Sequence, residues 1–112
     1  MKKTCRNSET DCPLTIALNA ISGKWKILII HHLIDKETLR FGELKKLFPE
    51  LSQKMLTTCL RELEADQLLN RKVYAEVPPK VEYSLTEHAR KLNPILVNLA
   101  NWGEEHKSVT TK

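Results

Sequence analysis

The stretch from Ser52 to Asp66 reads SQKMLTTCLRELEAD, and its apolar residues recur three and four positions apart. That spacing predicts an amphipathic helix from Gln53 to about Asp66 with one buried face. The residues of this face are Leu56, Cys59, Leu60 and Leu63, with Met55 at its edge. Ser52 is a suitable N-cap, because its hydroxyl can accept a hydrogen bond from a free N–H group of the first turn. The exposed face is neutral to basic over its first turns and becomes acidic only near its end.

A shorter helix is predicted directly before this one. Residues 41–48 read FGELKKLF, in which the apolar side chains share one face and Lys45 and Lys46 lie on the other. Pro49 ends the helix, and the next three residues form a tight link to the helix that follows. Two short helices with so short a connection are typical of a helix-turn-helix unit.

The hydrophobic period changes after residue 68. From Leu69 to Val77, and again from Lys80 to Leu85, β-branched and aromatic residues alternate with polar ones. This pattern predicts a two-stranded hairpin interrupted at Pro78-Pro79. A hairpin in this position is the wing of a winged helix-turn-helix. Its cations are Arg71, Lys72 and Lys80.

Two more helices are predicted ahead of this unit. Pro13 suits a first helical turn, and helical spacing of apolar residues continues to Ile21. Gly23 then separates this helix from a second one, which runs from Lys24 to about Ile34. Residues 35–38 are expected to form a polar connection without regular structure.

A final helical region is predicted after the hairpin. Thr86 is suited to cap it, Asn93-Pro94 interrupts it, and its pattern continues to about Glu105. The chain is therefore predicted as mainly α with a small β-hairpin: four helices, the hairpin, and one long or broken helix. Residues 1–11 are polar and are expected to be a flexible arm, which leaves residues 12–112 as one domain.

The composition excludes several classes of protein. The 112 residues have a net charge of +4 and are 41% hydrophobic and 29% charged, as in a soluble globular domain. Three glycines are few for this length, which argues against barrels, sandwiches and Gly-rich phosphate loops.

The sequence has no secretory signal and no apolar run of about 20 residues, so a cytosolic protein is expected. It also has no HExxH motif and no nucleophile motif around a serine, so we expect neither an enzyme nor a cofactor.

The three cysteines, Cys5, Cys12 and Cys59, are an odd number and cannot form a closed disulfide framework within one chain. No CxxC pair occurs, so structural zinc is not expected. Cys12 lies directly before Pro13 at a helix start, where the pKa of a thiol can be lowered. Cys12 is thus either a silent free thiol or a reactive one. A metal sensor built from Cys5, Cys12 and a histidine is a weaker alternative.

A winged helix-turn-helix binds DNA by placing its second helix in the major groove, while neighbouring elements contact phosphates. The exposed face of residues 53–66 suits this role, because its polar side chains can reach base edges and phosphates. The predicted contacts on this helix are Gln53, Lys54, Thr57, Thr58 and Arg61. The predicted phosphate contacts elsewhere are Arg40, Lys45, Lys46, Arg71, Lys72 and Lys80. The alternative is a winged helix used for protein–protein contact, which would favour apolar side chains on the same face.

Six strings of this sequence form a recognisable series over about residues 12–103. They are Cys12-Pro13, Gly23-Lys24-Trp25, Arg40-Phe41-Gly42-Glu43-Leu44, Ser52-Gln53-Lys54-Met55-Leu56, Leu60-Arg61-Glu62-Leu63-Glu64 and Val77-Pro78-Pro79-Lys80-Val81-Glu82-Tyr83-Ser84-Leu85-Thr86. In residues and in order, these strings resemble those of the HxlR family of bacterial transcriptional regulators, which are relatives of the MarR-type winged-helix proteins. The resemblance implies a homodimer that binds inverted-repeat operators near promoters, as a repressor or an activator.

The resemblance also implies which elements do what. Ser52 joins the recognition helix, at about 52–66, and the hairpin 70–85 is the wing. Dimers of the family are built from the N-terminal and C-terminal helices, and the last helix of this chain carries a matching apolar stripe. The residues of that stripe are Leu92, Ile95, Leu96, Leu99 and Trp102. A stripe this broad exceeds what one small core needs; the alternative is that it serves only the chain's own core.

Several members of the family sense oxidants or electrophiles through a cysteine at the Cys-Pro position, so the resemblance implies such a role for Cys12. The chain departs from the family at Asp66-Gln67-Leu68, where Asp-Gly-Leu is common. Glycine readily takes the left-handed conformation that ends a helix, whereas glutamine in that conformation costs on the order of 1 kcal/mol. We therefore expect a left-handed Gln67 at this helix end.

Overall fold

The apolar stripe of residues 53–66 lies at the centre of the fold. In the computed structural model, which describes residues 12–111, this segment is a helix whose Leu56, Leu60 and Leu63 are 0–2% exposed. The elements found in those residues are α1 (Pro13–Ile21), α2 (Lys24–Lys36), β1 (Thr38–Arg40), α3 (Phe41–Leu47), α4 (Gln53–Ala65), β2 (Leu69–Tyr74), β3 (Lys80–Leu85), α5 (Glu87–Arg90) and α6 (Asn93–Thr110). The predicted arm, residues 1–11, lies outside this range. The prediction of a mainly α winged helix-turn-helix is confirmed.

The core is shared by α2, α4 and the sheet. Ile29, Ile30 and Leu33 of α2 are fully buried in the same cluster as the leucines of α4. Leu44 of α3 and Leu85 of β3 belong to that cluster too. Each buried side chain of this size contributes about 1.5–3 kcal/mol relative to an exposed one. The orientation of α4 about its own axis is therefore strongly determined.

The sheet has three strands, not two. Its order is β1-β3-β2, and both pairings are antiparallel. The predicted polar connection at residues 35–38 is therefore wrong, since Asp35 and Lys36 belong to the last turn of α2 and Thr38 begins β1. Only Leu39 of β1 is buried. A strand this short forms because β3 offers an edge to pair with, and not because of its own residue pattern.

Two element ends also differ from the prediction. The first wing strand ends at Tyr74 and not at Val77, because its partner strand begins at Lys80, which pairs with Tyr74, and residues 75–79 form the connecting loop. Helix α6 continues to Thr110, beyond the predicted end at Glu105. The apolar stripe fades after residue 102, but residues 103–110 contain no proline and continue the helix as an exposed polar segment.

Within residues 12–111 no single helix is long and apolar enough to cross a membrane. The pair α1 and α2 reaches the required length and composition only when joined across a bend of 81°.

The turn after α4 adopts the expected left-handed conformation at Gln67, whose φ is 62°. The Gln67 carbonyl accepts a hydrogen bond of 2.9 Å from the Thr86 hydroxyl, and the Leu68 N–H donates one of 2.9 Å to the Leu63 carbonyl. Thr86 also caps α5, because its hydroxyl oxygen accepts a hydrogen bond from the Ala89 N–H. One strained residue thus joins the end of α4 to the start of α5.

Replacing Gln67 by glycine should leave the protein equally stable or raise its stability by up to about 1 kcal/mol, because glycine adopts a positive φ without steric cost. The midpoint of thermal unfolding, compared with that of wild type, measures this effect. A Gln67→Ala variant is the control, since alanine keeps the steric cost. A clear loss of stability in Gln67→Gly would contradict the steric cost assigned to the left-handed conformation of Gln67.

Candidate nucleic-acid interface

Hydrogen bonds fix both ends of the link between α3 and α4. Leu51 is 1% exposed, and its N–H donates a 3.0 Å hydrogen bond to the Phe48 carbonyl. The Ser52 hydroxyl oxygen accepts a 3.0 Å hydrogen bond from the Met55 N–H, as expected of an N-cap. The start of α4 therefore has a defined position relative to α3.

The exposed face of α4 carries the predicted DNA contacts. Ser52, Gln53, Lys54, Thr58 and Arg61 are exposed, while Thr57 is half-buried. The Thr58 hydroxyl donates a 3.0 Å hydrogen bond to the Lys54 carbonyl, so in this structure its proton is used within the helix. Acidic side chains occur only in the second half of the helix. Its first two turns thus present neutral and basic groups to solvent.

A small cleft lies between α4 and the wing. It has a volume of about 200 Å³ and is lined by residues of α4, β2 and β3, among them Thr57, Arg61 and Arg71. The Arg71 Nε lies 3.5 Å from a carboxylate oxygen of Glu64. Both side chains of this pair are well exposed, and such pairs contribute little to stability. The structure therefore brings two predicted cations, Arg61 and Arg71, to one cleft.

The other predicted wing cations meet an acidic residue that the sequence analysis did not select. Glu82 accepts a 2.9 Å hydrogen bond from the Tyr74 hydroxyl, and its second carboxylate oxygen lies 3.5 Å from the Lys80 Nζ. The Tyr74 hydrogen bond is the main reason that the pKa of Glu82 is lowered, and the charges of Lys80 and Arg40 lower that pKa further against a smaller opposing effect of burial. The register of the predicted hairpin could have revealed Glu82, because Lys72 and Tyr74 on β2 pair with Glu82 and Lys80 on β3. Only its pairing with Arg40 required knowledge of β1.

The remaining predicted cations lie around the start of α3 and on its surface. Arg40 and Lys46 are exposed and Lys45 is half-buried. The Arg40 N–H donates a 2.8 Å hydrogen bond to the Glu43 carboxylate, which caps the helix. A cleft of about 410 Å³ separates Arg40 and the first residues of α3 from Lys80 and the Pro78-Pro79 turn. Arg40 of β1 and Lys80 of β3 thus lie on opposite sides of this cleft.

An ion pair that the sequence analysis missed attaches α4 to α2. The Lys26 Nζ lies 2.8 Å from a carboxylate oxygen of Glu62, and the Lys26 side chain is only 11% exposed. The two residues lie far apart in the sequence, so no local pattern could have shown the pair. It attaches the acidic half of α4 to the core helix α2.

The arrangement matches a known family. A family model described as HxlR-like helix-turn-helix matches residues 20–111. The chain belongs to the HxlR family. As a member of this family of helix-turn-helix proteins, it is a DNA-binding transcriptional regulator.

Individual HxlR-like relatives support the assignment. The HTH-type transcriptional regulator YdeP of Bacillus subtilis is 51% identical over 96 residues, which are 86% of this chain and 74% of YdeP. The redox regulator HypR in its reduced form superposes with a TM-score of 0.83 at 48% identity, covering 88% of this chain and 96% of HypR. Its oxidised form gives a TM-score of 0.77 at 50% identity, covering 84% of this chain and 96% of HypR.

The residues of the predicted dimer stripe of this HxlR chain differ in how far they are exposed. Leu96 is 8% exposed and belongs to the chain's own core, and Leu92 is partly buried against that core. Leu96 is thus the member of the predicted stripe that is buried within this chain. Ile95, Leu99 and Trp102 are 52–58% exposed, so the stripe does not serve only the chain's own core.

Helix α1 adds to this exposed apolar surface. None of its residues is buried, and Leu14, Ile16 and Leu18 are 52–58% exposed. An apolar cleft of about 350 Å³ lies between α1 and the α5–α6 region. A second apolar cleft, of about 250 Å³, lies between α2 and α6. Surfaces of this kind mark interaction sites.

The two cysteines within the described range differ in state. Cys12, the N-cap residue of α1, is 3% exposed and disulfide-bonded, so the expectation of a free thiol at this position is corrected. Cys59 is free and half-buried. Burial raises the pKa of the Cys59 thiol, and the nearby charge of Glu62 raises that pKa further. Cys59 is thus disfavoured as a reactive thiolate.

A metal site is not found among residues 12–111, where no three His, Cys, Asp or Glu side chains come together in a ligating group. Cys5, which the weaker metal-sensor alternative requires, lies outside that range.

Proposed function

We propose that this HxlR protein acts as a homodimer on an inverted-repeat operator, with α4 in the major groove and the β2–β3 hairpin as the wing. The observation that carries the proposal is the exposed, neutral-to-basic N-terminal half of α4, whose opposite face is buried in the core. Such a helix can enter the groove without losing its own packing. A winged helix adapted to protein contact would present apolar residues at Gln53, Lys54 and Arg61.

The side chains divide by their expected contacts. Gln53, Thr57 and Thr58 are short and neutral and are suited to base edges, together with Ser52 at the helix start. The cations supply phosphate contacts, which fix register and affinity without reading sequence. These cations are Arg40, Lys45, Lys46, Lys54, Arg61, Arg71, Lys72 and Lys80. A dimer doubles the formal net charge of +4 to about +8 on one duplex.

The exposed apolar surface of α1 and α6 supplies the proposed dimer contact. Its described members on α6 are Ile95, Leu99 and Trp102, and α1 contributes Leu14 and Ile16. A two-fold arrangement of two copies would bury these side chains on both sides at once. It would also place two recognition helices on one face of the dimer, as an inverted repeat requires. As a regulator of transcription, the protein would work in the cytosol, where the chromosome lies.

Redox control through Cys12 is a further part of the proposal. Cys12 caps α1, which belongs to the proposed dimer surface, and its sulfur is disulfide-bonded in this structure. Making or breaking that bond would change the start of a helix that lies between two copies. The similarity to HypR, which is a redox regulator, supports this reading.

Lys54→Ala should weaken binding to DNA and reduce the slope of log affinity against log salt by about one, because one phosphate contact is lost. Gel retardation with the DNA upstream of the gene, at several salt concentrations, measures both quantities. Lys107→Ala, which removes the same charge from α6, is the control and should bind like wild type. Equal behaviour of the two variants would remove Lys54 from the interface. No retention by wild type would favour the protein-contact alternative.

Leu99→Asp should dissociate the dimer, because a carboxylate would be buried at the proposed contact. A weakening of self-association by roughly 30-fold or more is expected for a central apolar residue. Sedimentation equilibrium measures it. Val77→Asp is the matched control, since Val77 is a fully exposed apolar residue on the wing. If Leu99→Asp remained as dimeric as Val77→Asp, the dimer surface would lie elsewhere.

Cys12→Ser should abolish the response of DNA binding to diamide, while Cys59→Ser should respond like wild type. The physical reason is that Cys12 forms the disulfide, whereas burial and Glu62 keep Cys59 in its thiol form. Retardation of the same DNA with and without diamide or a thiol reductant measures the response. A Cys12→Ser protein that still responds like wild type would refute the redox role.

A further inference from the structure

Five side chains of the wing and of the neighbouring strand β1 share one face of the sheet. Arg40 of β1 and Lys72 of β2 both pair with Glu82 of the central strand, and Tyr74 pairs with Lys80. Directly opposed residues share a face, and so do residues two apart along a strand. Arg40, Lys72, Tyr74, Lys80 and Glu82 therefore form one group, called the wing cluster below. It contains three cations and one anion.

The anion is bound at both of its oxygens. Tyr74 donates to one of them at 2.9 Å, and the Lys80 Nζ lies 3.5 Å from the other. The Tyr74 ring in turn lies near two ammonium groups, with the Lys72 Nζ at 5.0 Å and the Lys80 Nζ at 4.6 Å from its centroid. Glu82 thus holds the Tyr74 hydroxyl and is paired with Lys80. The Tyr74 ring in turn lies beside both Lys72 and Lys80.

Glu82 has two opposing effects on DNA binding. Its charge lowers the attraction of the wing for any phosphate backbone, whatever the sequence. Its ion pair restricts Lys80, and the Tyr74 ring that it holds lies beside Lys72, so both lysines lose less side-chain freedom on binding DNA than free lysines would. A restricted cation contacts a phosphate well only when the rest of the protein is in the correct register. A free lysine can adjust to many registers.

We propose that Glu82 is a specificity-determining residue, which positions the wing cations so that their phosphate contacts form fully only when α4 is seated on its operator. This inference rests on the proposed DNA-binding mode. It adds to that mode an acidic residue that reduces non-specific affinity. Glu82 itself contacts no base in this proposal, and it acts through Lys80, Lys72 and Tyr74.

The test compares Glu82→Gln with Glu76→Gln. Glu76 lies in the loop between β2 and β3 and has no ion pair with any residue from 12 to 111. The two variants remove the same charge from the same wing, but only the first disturbs the cluster. The probes are the duplex that wild-type protein selects from a random-sequence pool and a shuffled duplex of equal length. The dissociation constants for both are measured, and their ratio is the specificity.

We expect Glu82→Gln to bind the shuffled duplex roughly threefold more tightly or better, because a negative charge near phosphates is removed. It should not bind the selected duplex more tightly, so the specificity falls by a similar factor. Glu76→Gln should change both constants together and keep the specificity within about twofold of wild type. If Glu82→Gln kept the specificity as Glu76→Gln does, Glu82 would act only as a charge, and the proposal would be overturned.

Tyr74→Phe provides a second test that changes no charge. It removes the hydroxyl that holds Glu82 and keeps the ring beside the lysines. We expect the specificity to fall through weaker binding of the selected duplex, with little change on the shuffled one. Unchanged specificity in this variant, with its thermal unfolding equal to that of wild type, would also overturn the proposal. Failure of wild type to select any duplex would instead refute the DNA-binding mode itself.

Discussion

The burial of one face of α4 is the constraint on which the rest of the molecule depends. Leu56, Leu60 and Leu63 are fixed in the core, and helical geometry then directs the polar side chains of the same helix outward. The Ser52 cap and the buried Leu51 set where the helix begins. The position of every candidate base contact is therefore a consequence of core packing. Surface substitutions on α4 can alter recognition without altering the fold.

The sheet gives the wing a defined position as well. A two-stranded hairpin alone is marginally stable in water, but β3 pairs on its other edge with β1, which leads directly into α3. The wing is thereby attached to the first helix of the helix-turn-helix unit. Cations from three separate segments come to one face because of this pairing, and a single carboxylate, Glu82, lies among them. The face of the sheet that carries these cations is thus an ordered set of charges.

The helix-turn-helix pair and the wing could be predicted from the sequence because each has a strong period within one segment. The Gln67 conformation was predicted because glycine is usual at that position. Strand β1 could not be predicted, since its three residues bury only Leu39 and pair with a strand far along the chain. The same reason hid the Lys26–Glu62 pair and the pairing of Arg40 with Glu82. Such features arise from tertiary contact and leave no local pattern.

The division of the α6 stripe shows another limit of periodicity. The spacing of the apolar residues places Leu92, Ile95, Leu96 and Leu99 on one broad face of the helix. It could not show which of these side chains are buried within the chain's own core and which stay exposed. That depends on how α6 lies against α2, which buries Leu96 and leaves Leu99 more than half exposed. The sequence also could not show that Cys12 is disulfide-bonded, because a disulfide depends on which sulfur atoms meet in the folded chain.

Helix α2 connects the two surfaces of the molecule. It contacts both α4 and α6, and its Lys26 holds Glu62 of α4 at 2.8 Å. Ile27 and Leu28 of the same helix line the apolar cleft against α6. Helix α2 therefore packs on one side against α4, the candidate recognition helix, and on the other against α6, which carries part of the surface proposed for the dimer contact.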